Sequence, residues 1–538
     1  MGAPMGFDVI LRSGNVYDGL GGAPRQADVG LRNGQIADIG NLSGARAARE
    51  LNAAGLAVAP GFIDIHGHSD PCVLAGPRCE SKVHQGVTTE LCGMCGYSPA
   101  PVSAACREDL RAGAFFPEAE FEWDWLSLGE YLDRVDAARP SMNIVQAVGH
   151  TPLRASVMGY EARPATPGEL DAMGRMLARA LEEGGAGFSS GLIYPPGSFA
   201  PPEELEFLCQ VAGRYGRGYY THMRSEGGGL LESVRETIAA ARAGGVPVEI
   251  AHHKAAGRDN WGKVHESMAL IERARDDGVD VRVDVYPYTA GSTTMTSLLP
   301  DWAHEGGREE LLSRLRDPET RRRLAAEVVG SGGFAGPPWG EEAWTRVLVA
   351  AVADQRDREF EGLTLAQLGE VCGKPPVEAM FDLLLAHETR VSIVSFTMCD
   401  DDMGFVLGHP LSTVGSDASA VSARHGKRYG KPHPRAYGTF PRVLGHFARD
   451  QKLVSLAEAI RKMTSEPARR IGLKDRGVLR QGAAADLVVF DPAAIIDRAT
   501  YADPHQFPDG VRQVWVNGVL VVDGGRHTGA GPGRVLRL

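Results

Sequence analysis

The sequence predicts an α/β fold, a TIM (β/α)8 barrel that carries a small β-sandwich domain built from both chain termini and a lid-like insert before the last barrel strand. Three observations predict it. Short apolar runs alternate with helical patterns through the middle of the chain, the βα repeat of a parallel sheet. Both ends hold β-rich runs broken by Asn-Gly and Gly-Asn turn signals. The side chains competent to bind metal cluster where the candidate strands end, the rim at which barrel enzymes place their active sites.

At the N-terminal end, residues 7–58 contain Phe-Asp-Val-Ile-Leu and Asp-Val-Gly-Leu-Arg, which read as strands of an antiparallel sheet. Residues 485–491 and 514–523 repeat the strand-turn-strand pattern, the second pair around another Asn-Gly. The two ends are therefore expected to pair, with 1–58 and 473–538 forming the small β domain around a catalytic barrel at 59–472. The barrel strands are expected at 62–66, 87–92, 143–148, 187–190, 219–222, 248–252, 281–286 and 412–417, and helical patterns at 166–183, 202–215, 230–243 and 263–277. A doubly wound open sheet usually has fewer strands and opens on a Gly-rich phosphate turn, which is not found. The seventh and eighth strands stand about a hundred residues apart, far beyond a usual connection. An insert at about 293–400 is expected there as a lid, with a loop-like stretch bearing Trp339 and a helical pattern at 377–388.

Composition sets outer limits. No stretch has the uninterrupted apolar length that spans a bilayer, so no membrane partner is expected. The net charge of -11 comes from interspersed acidic and basic residues, which argues against a nucleic-acid surface. The N-terminus has no basic region followed by an apolar one, and position 6 is Gly where a myristoylation signal wants Ser or Thr; the chain reads as cytoplasmic and unanchored. Eight cysteines are too sparse for a disulfide framework, and the CxxC of Cys92 and Cys95 has no second copy to complete a structural zinc site.

The chemistry lies at the strand ends. The first strand ends His66-Gly-His68, whose imidazoles, two apart on a strand, would face the same way. The second runs into Cys95, the fifth ends at His222, the sixth at His252 and the eighth at Asp417. These are the N, S and O donors that zinc accepts, brought to one rim by the barrel. Lys254, two residues past His252, would share its face in an extended stretch and suits a substrate carboxylate, with Tyr286 and Ser292 as neutral donors and Arg224 as a further anion ligand.

Ordered along nearly the whole chain, the motifs at 60–68 (Pro-Gly-Phe-Ile-Asp-Ile-His-Gly-His), 85–90 (Gln-Gly-Val-Thr-Thr-Glu), 95–96 (Cys-Gly), 221–224 (Thr-His-Met-Arg), 252–254 (His-His-Lys), 286–292 (Tyr-Pro-Tyr-Thr-Ala-Gly-Ser), 415–417 (Gly-Ser-Asp), 438–442 (Gly-Thr-Phe-Pro-Arg) and 485–490 (Ala-Asp-Leu-Val-Val-Phe) resemble the D-aminoacylase, or N-acyl-D-amino-acid deacylase, branch of the amidohydrolase superfamily. The resemblance implies a tightly held Zn2+ on Cys95, His222 and His252, beside a weaker metal half-site of His66, His68 and Asp417. It also implies that His252 rather than His253 is the ligand, and that Lys254, Tyr286 and Ser292 hold the carboxylate of an N-acyl amino acid substrate. Three features depart from the branch: Met94 stands where Asn is usual, Ala-Ser-Ala follows Asp417, and the insert is longer.

The chemistry expected is hydrolysis of the amide bond of an N-acyl amino acid, of the D-series by resemblance, to a carboxylate and a free amino acid. Zinc would polarise the carbonyl and acidify a water, while Asp417 would take the water's proton and return it to the departing nitrogen. A dipeptide, cyclic amide or N-carbamoyl compound could use the same chemistry. Two readings of other kinds are a serine hydrolase built on the GxSxG at 187–191, with Ser189 as nucleophile, and a non-catalytic barrel serving as a scaffold.

Overall fold

A computed structural model describes residues 6–113, 121–331, 341–422 and 430–538. Eight parallel strands form the barrel: β1 (Phe62–Asp64), β2 (Val87–Cys92), β3 (Asn143–Gln146, continued by Val148–Gly149), β4 (Gly187–Gly191), β5 (Gly218–His222), β6 (Val248–Ile250), β7 (Val281–Val285) and β8 (Ser412–Val414). Each pairs in parallel with the next, and a parallel bridge between Gly67 and Ala418 brings the ends of β1 and β8 together. Nearly every strand residue is buried, as expected of strands covered by helices outside and by side chains within.

The helices fall where their sequence patterns place them. Pro167–Glu182 begins with a capping box in which Thr166 accepts from the Glu169 amide, and Pro202–Arg214, Leu230–Gly244 and Lys263–Asp276 follow β4, β5 and β6. Several strands are shorter than expected. β1, β6, β7 and β8 stop one to three residues before His66, His252, Tyr286 and Asp417, so these four lie just past the sheet rather than in it.

The two chain ends share one nine-stranded sheet. Leu487–Phe490 pairs antiparallel with Ala57–Pro60, Val488 opposite Ala59, and joins the C-terminal strands to the N-terminal ones. Two of its hairpins turn on Asn33-Gly34 and Asn517-Gly518, both residues of each pair having positive φ, which is the type I′ preference for Asn-Gly. The final residues then return to the barrel, where Leu536 N donates to Ile144 O and Leu538 N to Gly184 O.

The stretch between β7 and β8 is an insert at the cavity mouth, as expected, and its Thr296, Ser297, His304, Arg308 and Leu311 line that cavity. It folds around its own apolar core, which includes Leu298, Leu315, Val349, Phe381 and Ile393. Gly291–Thr294, Val391–Ser395 and Val347–Val352 form a three-stranded antiparallel sheet, and Pro376–Ala386 is one of the helices packed on it. Trp339 lies outside the described residues. Among the described residues, no helix is long and apolar enough to cross a membrane.

Candidate metal centre and its cavity

The rim holding the candidate ligands is built on strained backbone. Cys95, His252 and Asp417 have φ of 53°, 36° and 50°. A left-handed conformation costs a non-glycine residue about 1–2 kcal/mol, and it persists where the surroundings fix it. Here Asp417 N donates to His66 O at 2.7 Å, and His252 N donates to Asp284 Oδ1 at 2.8 Å. Two glycines make room. A Cβ on Gly67 would meet Glu90 Oε1 at 2.0 Å, and one on Gly96, where φ is 75°, would meet the Gly191 nitrogen at 2.3 Å.

All six predicted ligand positions converge. Cys95 Sγ lies 3.2 Å from His66 Nε2 and 3.5 Å from His252 Nε2, which is in turn 2.8 Å from His222 Nδ1. Asp417 Oδ1 is 3.4 Å from His66 Nε2 and 3.0 Å from His68 Nε2. His66, Cys95, His252 and Asp417, all buried, offer donor atoms within 4.8 Å of one another, and His222, Glu226 and His252 do so as a second group. His68 joins through Asp417. Buried imidazole nitrogens, a thiol sulfur and a carboxylate oxygen brought together in this way fit zinc. His253, the neighbouring imidazole, points elsewhere: its Nε2 meets Ser267 Oγ at 2.8 Å, and burial drives its pKa down to about 3. Cys92 also faces away, towards Glu90 Oε1.

The cluster's electrostatics favour bound positive charge. Burial alone would push the Cys95 thiol up, but His66 and His252 hold it well below its ordinary value, in the thiolate form. Burial likewise works against ionised Asp417, yet Arg435, His66 and His252 bring its pKa well below the usual carboxylate range. Around these anions, despite burial, the imidazole of His66 is raised well above its ordinary value by Asp284, and that of His68 to about 9 by Asp417 and Cys95. His252 rises to about 9 through Glu226 and Cys95, against burial and Lys254. His222 is lowered, by burial and by His252. A divalent cation can supply the charge that protons otherwise bring, with proton release on binding.

Two carboxylates absent from the sequence-based candidates aim the imidazoles. Both oxygens of Asp284 lie 3.1 Å from His66 Nδ1, and Glu226 Oε1 lies 2.8 Å from His252 Nδ1, so each ring turns its Nε2 towards Cys95. Carboxylates behind a ligating histidine fix its orientation and raise its basicity. Glu226→Gln should therefore weaken zinc binding by about 10–100-fold, read by competition with a chromogenic chelator. Unchanged affinity would remove that orienting role.

A cavity of about 520 Å³ opens onto the cluster and is lined by His68, Cys95, His222, His252 and Asp417 together with Lys254, Tyr286 and Ser292. The expected geometry of Lys254 is corrected. With His252 left-handed, residues 252–254 are not extended, and the ammonium sits 2.5 Å from Glu226 Oε1 and 2.8 Å from His252 Nδ1. Arg435, which the sequence-based candidates omit, completes this side. Its guanidinium lies 2.8 Å from Asp417 Oδ2, donates to Ser292 O at 3.2 Å and stacks 4.5 Å from the centre of the Tyr286 ring, while Lys254 Nζ lies 5.7 Å from that same centre. Burial keeps the Tyr286 phenol well above its ordinary pKa, hence a neutral donor. Arg224 is corrected too: its donors are taken by Glu236, Ser198 O and Ala200 O, and it is not among the cavity's lining residues.

The GxSxG serine fails as a nucleophile. Ser189 is buried inside β4, its hydroxyl accepts the Gly96 amide at 2.9 Å, and it does not reach the cavity. A parallel barrel with a buried N, S and O donor cluster at its strand ends defines the class of metal-dependent barrel hydrolases. A sequence model of the amidohydrolase family matches residues 49–522, and the chain belongs to that family. It is 37% identical over 536 residues to N-acyl-D-glutamate deacylase of Alcaligenes xylosoxydans xylosoxydans, covering 99% of this chain and 96% of that one. It is 36% identical over 530 residues to D-aminoacylase of the same organism, covering 98% and 97%. Among solved structures, N-acyl-D-glutamate deacylase from Bordetella bronchiseptica, in complex with zinc and a phosphonate mimic of the tetrahedral intermediate, superposes with a TM-score of 0.82 at 33% identity over 99% of this chain and all of that one.

Proposed function

We propose that this enzyme hydrolyses the amide bond of N-acyl-D-amino acids, releasing a carboxylic acid and the free D-amino acid. One observation carries the reading. A wall of two cationic and two hydroxyl-bearing side chains, Lys254, Arg435, Tyr286 and Ser292, stands in the same cavity as the metal-competent cluster, where one small molecule can span both. The D-configuration rests on the deacylases to which the chain is similar. All eight cysteines are free, which suits a reducing compartment, and we assign the enzyme to the cytoplasm.

In this reading Cys95, His222 and His252 hold the tightly bound zinc, and His66, His68 and Asp417 form the adjoining weaker site. Zinc, when bound, supplies a Lewis acid for the carbonyl oxygen and makes water acidic near neutrality. Asp417, kept ionised by Arg435, takes the proton of the attacking water. It then delivers that proton to the departing nitrogen, because an amide cannot expel an unprotonated amide anion. Lys254 and Arg435 are already paired with Glu226 and Asp417, but an ammonium has three donors and a guanidinium five, so each keeps donors for the substrate carboxylate.

Turnover of a panel of N-acetyl and N-formyl D- and L-amino acids by the zinc-loaded enzyme tests the proposal. The D-series should be hydrolysed, with loss of activity on chelation, recovery with zinc, and no effect of a fluorophosphonate. Equal turnover of L-substrates, or none of either series, would sink it. Lys254→Ala should raise KM about tenfold or more for substrates with a free carboxylate and far less for their amides. An equal effect on both would remove Lys254 from carboxylate recognition.

A further inference from the structure

The order of strands around the barrel divides the cavity. Lys254 follows β6, Tyr286 and Ser292 follow β7, and Arg435 follows β8, so that wall occupies one side of the mouth. The opposite side is supplied by the connections after β1 to β4, which contribute Cys72, Tyr97, Leu110, Tyr160, Ile193 and Pro195. These are apolar or aromatic; Thr151 and the Tyr194 hydroxyl border them, Asp70 and Asp109 are acidic neighbours, and Arg308 of the insert, next to the Gly307 that packs on Tyr160, is a basic one. The wall is anchored: Tyr97 Oη donates to Leu110 O at 3.5 Å, Leu110 packs in a cluster with Val102, Ala155 and Tyr160, and Tyr160 O accepts from Gly306 N of the insert at 3.1 Å.

We propose that this apolar lobe receives the acyl group, and that the acyl group is an uncharged chain or aryl ring several carbons longer than acetyl. The inference rests on the deacylase reading. A secondary amide is planar and trans, so its acyl substituent and its Cα leave on opposite sides of the C–N bond. With the substrate carboxylate held beyond β6 to β8 and the carbonyl at the metal-competent cluster, the acyl group is directed towards the connections after β1 to β4. Size points the same way. The whole cavity, about 520 Å³, lies within the roughly 300–1,000 Å³ typical of sites for drug-sized ligands, which leaves room for a substrate larger than an N-acetyl amino acid.

The test is kcat/KM for one D-amino acid carrying acetyl, butanoyl, hexanoyl, octanoyl and phenylacetyl groups, with calorimetric binding of the matching free acids as a readout independent of turnover. Each added methylene should raise kcat/KM by about fourfold until the lobe is full, the fold-change equivalent to ~0.8 kcal/mol per buried methylene. Leu110→Trp should lower the hexanoyl-to-acetyl ratio at least about tenfold, and Leu110→Ala should move the optimum to a longer chain. A flat or falling series in the native enzyme overturns the proposal while leaving the deacylase reading intact. No hydrolysis of any member overturns that reading instead. A preference that follows the amino-acid side chain, and is unchanged by either Leu110 variant, assigns the lobe to that side chain and also overturns the proposal.

Discussion

Asp417→Asn is expected to lower kcat by at least about 10³-fold while the purified protein keeps its tightly bound zinc, because both proton transfers lose their carrier and general acid–base groups contribute about 10²–10⁴-fold. The amide keeps the shape of the carboxylate and can remain beside His68 and His66, but it cannot take a proton from water. It also leaves Arg435 without its ionic partner at 2.8 Å, so KM is expected to change as well. Elemental analysis beside steady-state kinetics separates the outcomes. Undiminished hydrolysis would end the assignment of Asp417 as the proton carrier, and loss of all zinc would mean that Asp417 belongs to the tight site.

Cys95→Ala should remove zinc altogether and lower kcat/KM by roughly 10³-fold or more. Cys95 is the sulfur donor of the cluster, in contact with both His66 and His252, and its thiolate adds to the carboxylates that keep the imidazoles cationic. Alanine at a φ of 53° bears the same backbone strain as cysteine, so the variant tests the sulfur rather than the turn. Full zinc content with native turnover would show that the histidines and Asp417 suffice without it.

The barrel was legible because its strands are short apolar runs buried on both faces, separated by helices with clear periodicity; β2 and the helix before β4 fall almost where the pattern places them. The six metal-competent residues were legible because each lies at or just past a strand end. What stayed hidden depends on the backbone turning away from regular geometry. Nothing in a single sequence signals that His252 is left-handed, so extended alternation places Lys254 on its face, whereas the ammonium meets Glu226 and Nδ1 of His252. Glu226 had one cue, a carboxylate four residues after His222, and Asp284 another, an acid in the middle of a fully buried strand. Arg435 had none that distinguished it from Arg442, since its role comes from the ring it stacks on and the carboxylate it meets. The insert itself is legible from the length of the connection and the helical pattern at 377–388, but its sheet is not: the strands are separated by long helical stretches, and a three-stranded sheet of distant segments has no local signature.

The joined termini also set a timetable for synthesis. The strand Ala57–Pro60 leaves the ribosome early, but the partner that covers one of its edges, Leu487–Phe490, follows more than four hundred residues later. At about 5–20 residues per second, that edge waits roughly 20–90 s. Exposed strand edges invite pairing with other chains, so the nascent protein passes through a period in which its first sheet is open to aggregation and to chaperones.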